Sequence, residues 1–395
     1  MSPREYAEAL IRQYERLAAE GARSGTVMCI PLHAYLIGQP HRIGPFEQAL
    51  RHIAADGRAW IARAGEIVDH WRAQTGGAGL MALDPAYLEY PHRRHGYDHE
   101  LYDWSCLHTR APVRWPDGKT VAVWLCVSLE WFPIVPGGPF KAPGHMQTAY
   151  PDFRHYTARD YGNRVGVWRF LDAFAAAGVK ASFATNAAIA ERYPELIEAI
   201  LADGHEIIAH STDMNGTIDS SLSREAESAL IGEAIARIVR AAGVRPSGWL
   251  SIARQQSWNT LDLLKEHGLA YCCDWVNDEL PYRFRNGLVS LPLNHELSDR
   301  QIVAVQQKSA ESWAESLTDA FDWLAGEGRA QGGAGRMLPV HLTPYIMGLP
   351  YRIDALERWL AAIAARDEAW FAPGNAIIAA WESHEQAQAE EAGRG

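Results

Sequence analysis

The sequence has no CxxC pair, no run of lysine and arginine, and no uninterrupted apolar stretch of the length a membrane helix needs. The five cysteines, Cys29, Cys106, Cys126, Cys272 and Cys273, read as reduced thiols and not as a disulfide framework. A formal net charge of -11 without a basic run lacks the footprint of a nucleic-acid binder. The amphipathic, charged opening "MSPREYAEALIRQYERLAAEG" is neither a signal peptide nor a membrane span, so the expected location is cytoplasmic, with no membrane partner. Missing as well are a GxSxG elbow, a P-loop, an HExxH pair and a dinucleotide glycine fingerprint. Their absence argues against nucleophile-elbow hydrolysis, phosphate cradling, zincin chemistry and a Rossmann domain.

With 395 residues, 48% of them hydrophobic and 22% charged, there is room for one large globular domain and an appendage. Fifteen tryptophans are the outlier, and such rings divide between core and the walls of a cleft. The cluster "HRRHGYDHEL" (92–101) has the setting of a solvated, turn-rich segment more than of a metal site.

One stretch occurs twice. "PLHAYLIGQPHRI" (31–43) returns as "PVHLTPYIMGLPYRI" (339–353), and a constant offset of 310 residues from Gly38 onward pairs Arg42 with Arg352, Leu50 with Leu360 and Trp71 with Trp381. With a slightly shorter offset, "YAEALIRQYERLAAEG" (6–21) meets "WAESLTDAFDWLAGEG" (313–328). Residues 1–75 therefore read as a helix, strand, loop, helix, helix unit too small to bury both faces of its strand. They are expected to be the closing piece of a barrel, left by duplication of a two-domain parent. Through residues 1–75 the chain would form a homo-oligomer or a heteromer with a homologous chain, or the piece would pack as an appendage. Residues 76–117 read as a linker or wrapping segment and 386–395 as a disordered tail.

From 118 to 385 short apolar strands alternate with helices that end in glycine, the pattern of βα units on a parallel sheet. Seven strands with helices outside predict an α/β fold that is a (β/α) barrel, with an open doubly wound sheet as the alternative. In such barrels chemistry sits at the C-terminal strand ends. Those ends carry Glu130 and Trp131, Asn186, His210 and Asp213, Ser251 and Arg254, Asp274, Trp275 and Asp278, then His295 and Glu296, then His341.

The segments "GVKASFATNAAIAERYPELIEAILADGHEIIAHS" and "GWLSIARQQSWNTLDLLKEHGLAYCCDWVNDELPY" resemble the polysaccharide deacetylase (NodB-homology) superfamily, the second its cofactor-free allantoinase and cyclic-imide hydrolase branch. The resemblance implies a seven-stranded deformed barrel that hydrolyses a carbon–nitrogen bond other than a peptide bond. Zinc-dependent members end the first strand in Asp-Asp and follow with His-x-x-x-His. Here "VSLEW" offers Glu130 alone, and "HSTDMN" keeps His210 with Met214 where the second histidine would stand. Glu130, His210 and Asp213 form a marginal set for zinc or a similar divalent ion, so no cofactor is expected.

Glu130, flanked by Trp131, is expected to be a general base with its pKa raised by desolvation, or else a salt-bridged strand-end carboxylate. His210 would polarise a carbonyl or relay a proton, or be a core histidine. His341 matches the superfamily's last-strand histidine, implied to protonate the leaving nitrogen. Asp274 and Asp278 would orient histidine or arginine groups, although Asp278 also suits a turn. Arg254 and Glu296 would contact substrate, and Trp131, Trp249 and Trp275 would wall the pocket. The expected reaction is opening of a small cyclic amide, imide or ureide by water. The alternatives are metal-dependent N-deacetylation of an amino sugar or polysaccharide, and a non-catalytic partner subunit.

Overall fold

The computed structural model describes residues 2–21, 25–75, 101–103, 105–107, 110–134, 151 and 153–394. The chain divides into two compact units, Met1–Glu100 and Leu101–Gly395. The second unit thus takes in 101–117, the latter part of the expected linker, while 76–100, with most of the His-rich cluster, lies outside the described residues.

The first unit is helical: α1 (Pro3–Gly21), α2 (Ala34–Ile37), α3 (Pro40–Ala55) and α4 (Ala64–Thr75). Ala7, Leu10 and Tyr14 are the buried stripe of α1, at the three-to-four-residue spacing that puts side chains on one helix face. Ala7 and Leu10 pack on Phe46 and Ala49 of α3, and Pro40 at the start of α3 costs it no hydrogen bond. The strand expected before His33 does not form. Residues 25–33 form neither helix nor strand, with no strand partner among the described residues.

The second unit holds one sheet. Its strands are β1 (Val121–Leu129), β2 (Ser182–Thr185), β3 (Glu206–Ala209), β4 (Gly248–Trp249), β5 (Tyr271–Cys272), β6 (Tyr282–Arg283), β7 (Val289–Ser290), β8 (Arg336–Leu342) and β9 (Ala369–Phe371). The spatial order is β6-β7-β5-β4-β3-β2-β1-β8, with β9 also on β1. Every pairing is parallel except β6 with β7. Seven of these strands are the expected ones. The additions are the short antiparallel β6 and β9, whose three residues are too few to register as a periodic apolar run. All nine residues of β1 are buried, as a strand covered on both faces requires.

Ladder lengths differ around the sheet. β1 pairs with β8 over seven residues and with β2 over four, whereas the contacts joining β3, β4, β5 and β7 hold one or two residue pairs each.

Outside the sheet lie α5 (Phe153–Tyr161), α6 (Val167–Ala177), α7 (Ala187–Arg192), α8 (Pro194–Ala202), α9 (Arg224–Ala242), α10 (Thr260–Glu266), α11 (Ala310–Ala330), α12 (Pro344–Met347), α13 (Ile353–Ala364) and α14 (Gly374–Arg394). α6 buries Val167, Phe170, Leu171 and Phe174, and stops where Gly178 takes a left-handed φ of 66°. Truncating Phe174 to alanine in such a core would cost about 3–5 kcal/mol. α14 runs through the segment expected as a disordered tail. No described helix is long and apolar enough to cross a membrane.

At the N-terminal end of the strands, buried Glu206 accepts from Ser182 Oγ (2.6 Å), Ser247 Oγ (2.7 Å), Tyr271 Oη (2.9 Å) and the Asn375 amide (3.1 Å). That end is closed by a satisfied polar plug, which leaves the C-terminal rim for chemistry.

Candidate active site

Glu130 follows the last residue of β1 and is 5% exposed. Of the two readings expected for it, the structure shows the salt-bridged strand-end carboxylate. Arg300 Nη2 donates to both oxygens, at 2.8 and 3.0 Å, and Tyr345 Oη donates to Oε2 at 2.8 Å. Burial works against the Arg300 guanidinium, but the neighbouring Glu130 carboxylate helps hold it above its ordinary value. Burial pushes the Tyr345 phenol up, so it remains a donor.

His210 follows β3 and is 3% exposed. Its Nδ1 lies 2.6 Å from the Leu250 carbonyl, which can only accept, so Nδ1 carries the proton and Nε2 the lone pair. Nε2 is buried without a hydrogen-bond partner among the described residues, 4.0 Å from Glu130 Oε1. Burial lowers the His210 pKa below its ordinary value against the opposing pull of Glu130, which keeps the ring neutral. Asn186 fixes both strand ends: its Oδ1 accepts from the Trp131 amide at 2.7 Å and its Nδ2 donates to the His210 carbonyl. Ser211, next in the chain, takes a φ of 61°, a left-handed conformation costly for a residue with a Cβ.

His341 lies on β8, with Nε2 2.7 Å from Ser128 Oγ of β1 and Nδ1 3.5 Å from Arg254 Nη2. Since the guanidinium only donates, Nδ1 accepts and Nε2–H is directed at Ser128. Burial, then the charges of Arg254 and Arg300, hold the His341 pKa well below its ordinary value. The role of acid implied for His341 does not fit these bonds, because a neutral imidazole could give up that proton only as an imidazolate.

Arg254, in the segment Ile252–Arg254 with a φ of 55°, also reaches His295 Nδ1 (3.1 Å) and the Leu293 carbonyl (3.1 Å). It therefore spans from the loop after β7 to β8 across the rim.

The other expected residues divide. Asp274 is buried near the rim, but instead of orienting histidine or arginine it accepts from the Ser251 amide (2.7 Å) and Gln256 Nε2 (2.5 Å). Asp278 does hold an arginine, Arg110, at 2.8 and 2.5 Å, and also starts a turn by accepting from the amides of Glu279 and Leu280. Trp249 is fully buried with Nε1 on Ser251 Oγ at 2.9 Å, so it is core and cannot wall a pocket. Trp131 is half-buried against Tyr156 and Tyr193 with the Arg192 guanidinium 4.4 Å above its ring. Trp275 packs on Phe284 and Tyr102 and donates to Gln256 Oε1 at 3.0 Å. Glu296 is half-buried in the loop after Leu293.

Arg300 and Tyr345 were not expected. Neither stands at a strand end: Arg300 opens the helical turn Arg300–Val305 and Tyr345 lies in α12. The available signal was spacing, for Tyr345 comes four residues after His341 in "HLTPY".

The donors do not fit a zinc-type ion. Both Glu130 oxygens are engaged by Arg300 and Tyr345, and Asp213 turns its Oδ1 back to the Asn215 amide at 2.8 Å. Met214 packs with Phe132 and Ile252 in an apolar cluster. Among the described residues no group of three His, Cys, Asp or Glu is placed to hold a metal.

Residues 154–272 match the polysaccharide deacetylase family, a span that holds His210 and excludes Glu130 and His341. A Schizosaccharomyces pombe protein described as a putative polysaccharide deacetylase is 26% identical over 243 residues, 56% of this chain and 74% of its own. Among solved structures, PuuE allantoinase superposes with a TM-score of 0.63 at 26% identity, covering 73% of this chain and 98% of that one. A probable polysaccharide deacetylase from Pseudomonas aeruginosa PAO1 gives a TM-score of 0.62 at 27% identity, covering 69% and 95%. Residues 154–272 thus match a polysaccharide deacetylase domain, and the surrounding sheet and helices share the fold of PuuE allantoinase, among neighbours that are hydrolases acting on carbon–nitrogen bonds other than peptide bonds.

Proposed function

We propose that the protein opens a small cyclic amide, imide or ureide by direct attack of water, with His210 as the base and no catalytic metal. The observation that carries this is the bare lone pair of His210 Nε2, buried 4.0 Å from a carboxylate that is itself held by Arg300 and Tyr345. Two acceptors at that separation suit one water: at ~2.8 Å from each, its two donated bonds diverge by roughly 90°, close to the angle between its own O–H bonds.

The water oxygen adds to the carbonyl carbon as its proton passes to His210 Nε2, and Glu130 stabilises the resulting imidazolium. The carbon–nitrogen bond then breaks, and the same proton goes from His210 to the departing nitrogen. Because burial already lowers the His210 pKa, its protonated form is a ready acid. This moves the acid role from His341 to His210. His341 and Ser128 become positioning residues that set Arg254, whose guanidinium offers N–H donors to a carbonyl oxygen or a product carboxylate. The likeness to an allantoinase over nearly all of that protein's length supports a ureide-like substrate.

The test is a panel of cyclic ureides, imides and N-acetyl sugars, assayed with the purified chain before and after chelator treatment and with metal analysis. Ring opening that persists after chelation is the expected result. Stoichiometric zinc whose removal abolishes turnover would establish metal-dependent N-deacetylation instead. Inactivity of the chain by itself on every substrate would favour a non-catalytic partner subunit.

A further inference from the structure

The first unit repeats the end of the barrel element by element. At the offset of 310 residues, α2 answers α12, α3 answers α13, and α4 from Ala64 answers α14 from Gly374; at the shorter offset α1 answers α11. Two elements do not form. Residues 28–33 and 59–61, the counterparts of β8 and β9, form neither helix nor strand and have no strand partners among the described residues. β8 and β9 are the strands that pair with β1. Helices satisfy their own backbone, whereas a strand needs a neighbour's, so the missing piece is a strand of the β1 kind.

The side chains agree. Leu32 is 50% exposed and its counterpart Val340 is fully buried; Leu50 is 40% exposed against fully buried Leu360; Val68 is 39% against 4% for Ile378; Trp71 is 58% against 6% for Trp381. An apolar set of this kind marks an interaction surface. Gly348 is tied to a neighbour: a Cβ there would lie 2.5 Å from Gly166 Cα and 2.7 Å from Gly166 O. Among the described residues the same Cβ at Gly38 would meet only Ala34 of its own helix, so the glycine is present without a described backbone that needs it. The unit also repeats the two site residues of β8 and α12, with His33 in place of His341 and Tyr35, 70% exposed, in place of Tyr345.

We infer that residues 25–71 close a second barrel of the same fold, carried on another chain that lacks its own β8–β9 unit, and bring His33 and Tyr35 to that barrel's strand-end rim. This chain's own barrel is not the occupant, since β1 already carries β8 along one edge and β9 and β2 along the other. A second copy is filled in the same way. The placement follows from the repeat and does not depend on the reaction proposed above.

The experiment is to recover the tagged full-length chain from its native cells and identify by sequence what accompanies it. The expected companion is stoichiometric, carries β1 to β7 of a deacetylase-fold barrel and lacks the last unit. Leu32→Asp with Trp71→Asp should reduce its recovery about tenfold or more, as for buried interface anchors, and leave thermal unfolding of the barrel unchanged. In the complex His33 should react with diethyl pyrocarbonate about tenfold more slowly than in the isolated chain, since burial removes access. Recovery of the chain alone, as a homo-oligomer or with a protein of another fold would overturn the inference. So would a companion indifferent to both substitutions, or a His33 as reactive in the complex as out of it.

Discussion

His210 Nε2 faces Glu130 Oε1 across 4.0 Å, each ring and carboxylate fixed from behind, one by the Leu250 carbonyl and the other by Arg300 and Tyr345. The pair is built as two acceptors with nothing donated between them. His210→Gln should therefore lower kcat by about 10²–10⁴-fold, the usual weight of a general base, with little change in KM. Steady-state kinetics beside a thermal melt checks this; a variant that melts like the parent and keeps its kcat would remove His210 from the reaction.

Glu130→Gln leaves the Arg300 guanidinium without its counter-charge. A charge-assisted hydrogen bond lost at a half-buried site should cost about 2 kcal/mol of stability, and Glu130→Gln with Arg300→Met should recover part of it. Denaturant titration of the three variants measures the coupling. Additive effects would mean that the pair seen in the structure contributes no interaction energy.

The pH dependence has two opposing parts. His210 and His341 have pKa values below the ordinary 6.5, so the stability they add is full above that value and is lost as pH falls below it. Asp299 goes the other way: burial raises its carboxyl from 3.8 to about 7, so its contribution is present at acid pH and is lost as pH rises through about 7. The expected signature is that Asp299→Asn gains stability on the parent as pH rises from 3.8 to about 7, and holds that gain above it. A constant offset across that range would contradict it. The acid limb of kcat/KM should fall below pH 6.5, the ordinary histidine value, because the working histidine is neutral down to its lowered pKa.

Gly348→Ala and Gly38→Ala are a matched pair. The first drives a methyl into the Gly166 backbone as well as into its own helix, and the second meets its own helix alone. Gly348→Ala should be the more destabilising, by about 1–3 kcal/mol as for other overpacked contacts, in parallel melts of the isolated chain. Equal losses would show that the Gly166 contact contributes nothing.

What was legible in the sequence followed from backbone rules. Alternating apolar runs located the strands, and the strand-end rule led to Glu130, His210 and His341, which the fold brings to one rim. What was not legible came from side chains reaching across. Arg300 is 170 residues from Glu130 and sits in a helical turn, so no periodicity marks it as a partner. Trp249 reads as a pocket wall by position, but its indole finds Ser251 Oγ inside and the ring goes to the core. Asp274 engages its carboxylate with the Ser251 amide and Gln256 Nε2, and reaches His210 only through its charge.

The uneven ladders of the sheet set different rates of change around the rim. Glu130 and His210 extend from β1 and β3, and His341 lies on β8, all stretches with four or more ladder pairs on at least one side. Arg254, Trp275 and Glu296 hang from β4, β5 and β7, where one or two pairs hold each junction. Local opening is cheapest where the ladder is shortest. On the roles proposed above, reaction geometry is stiff and recognition is pliable, so a barrel of this kind would acquire a new substrate by altering one arc of its circumference while the proposed proton-handling arc stays as it is.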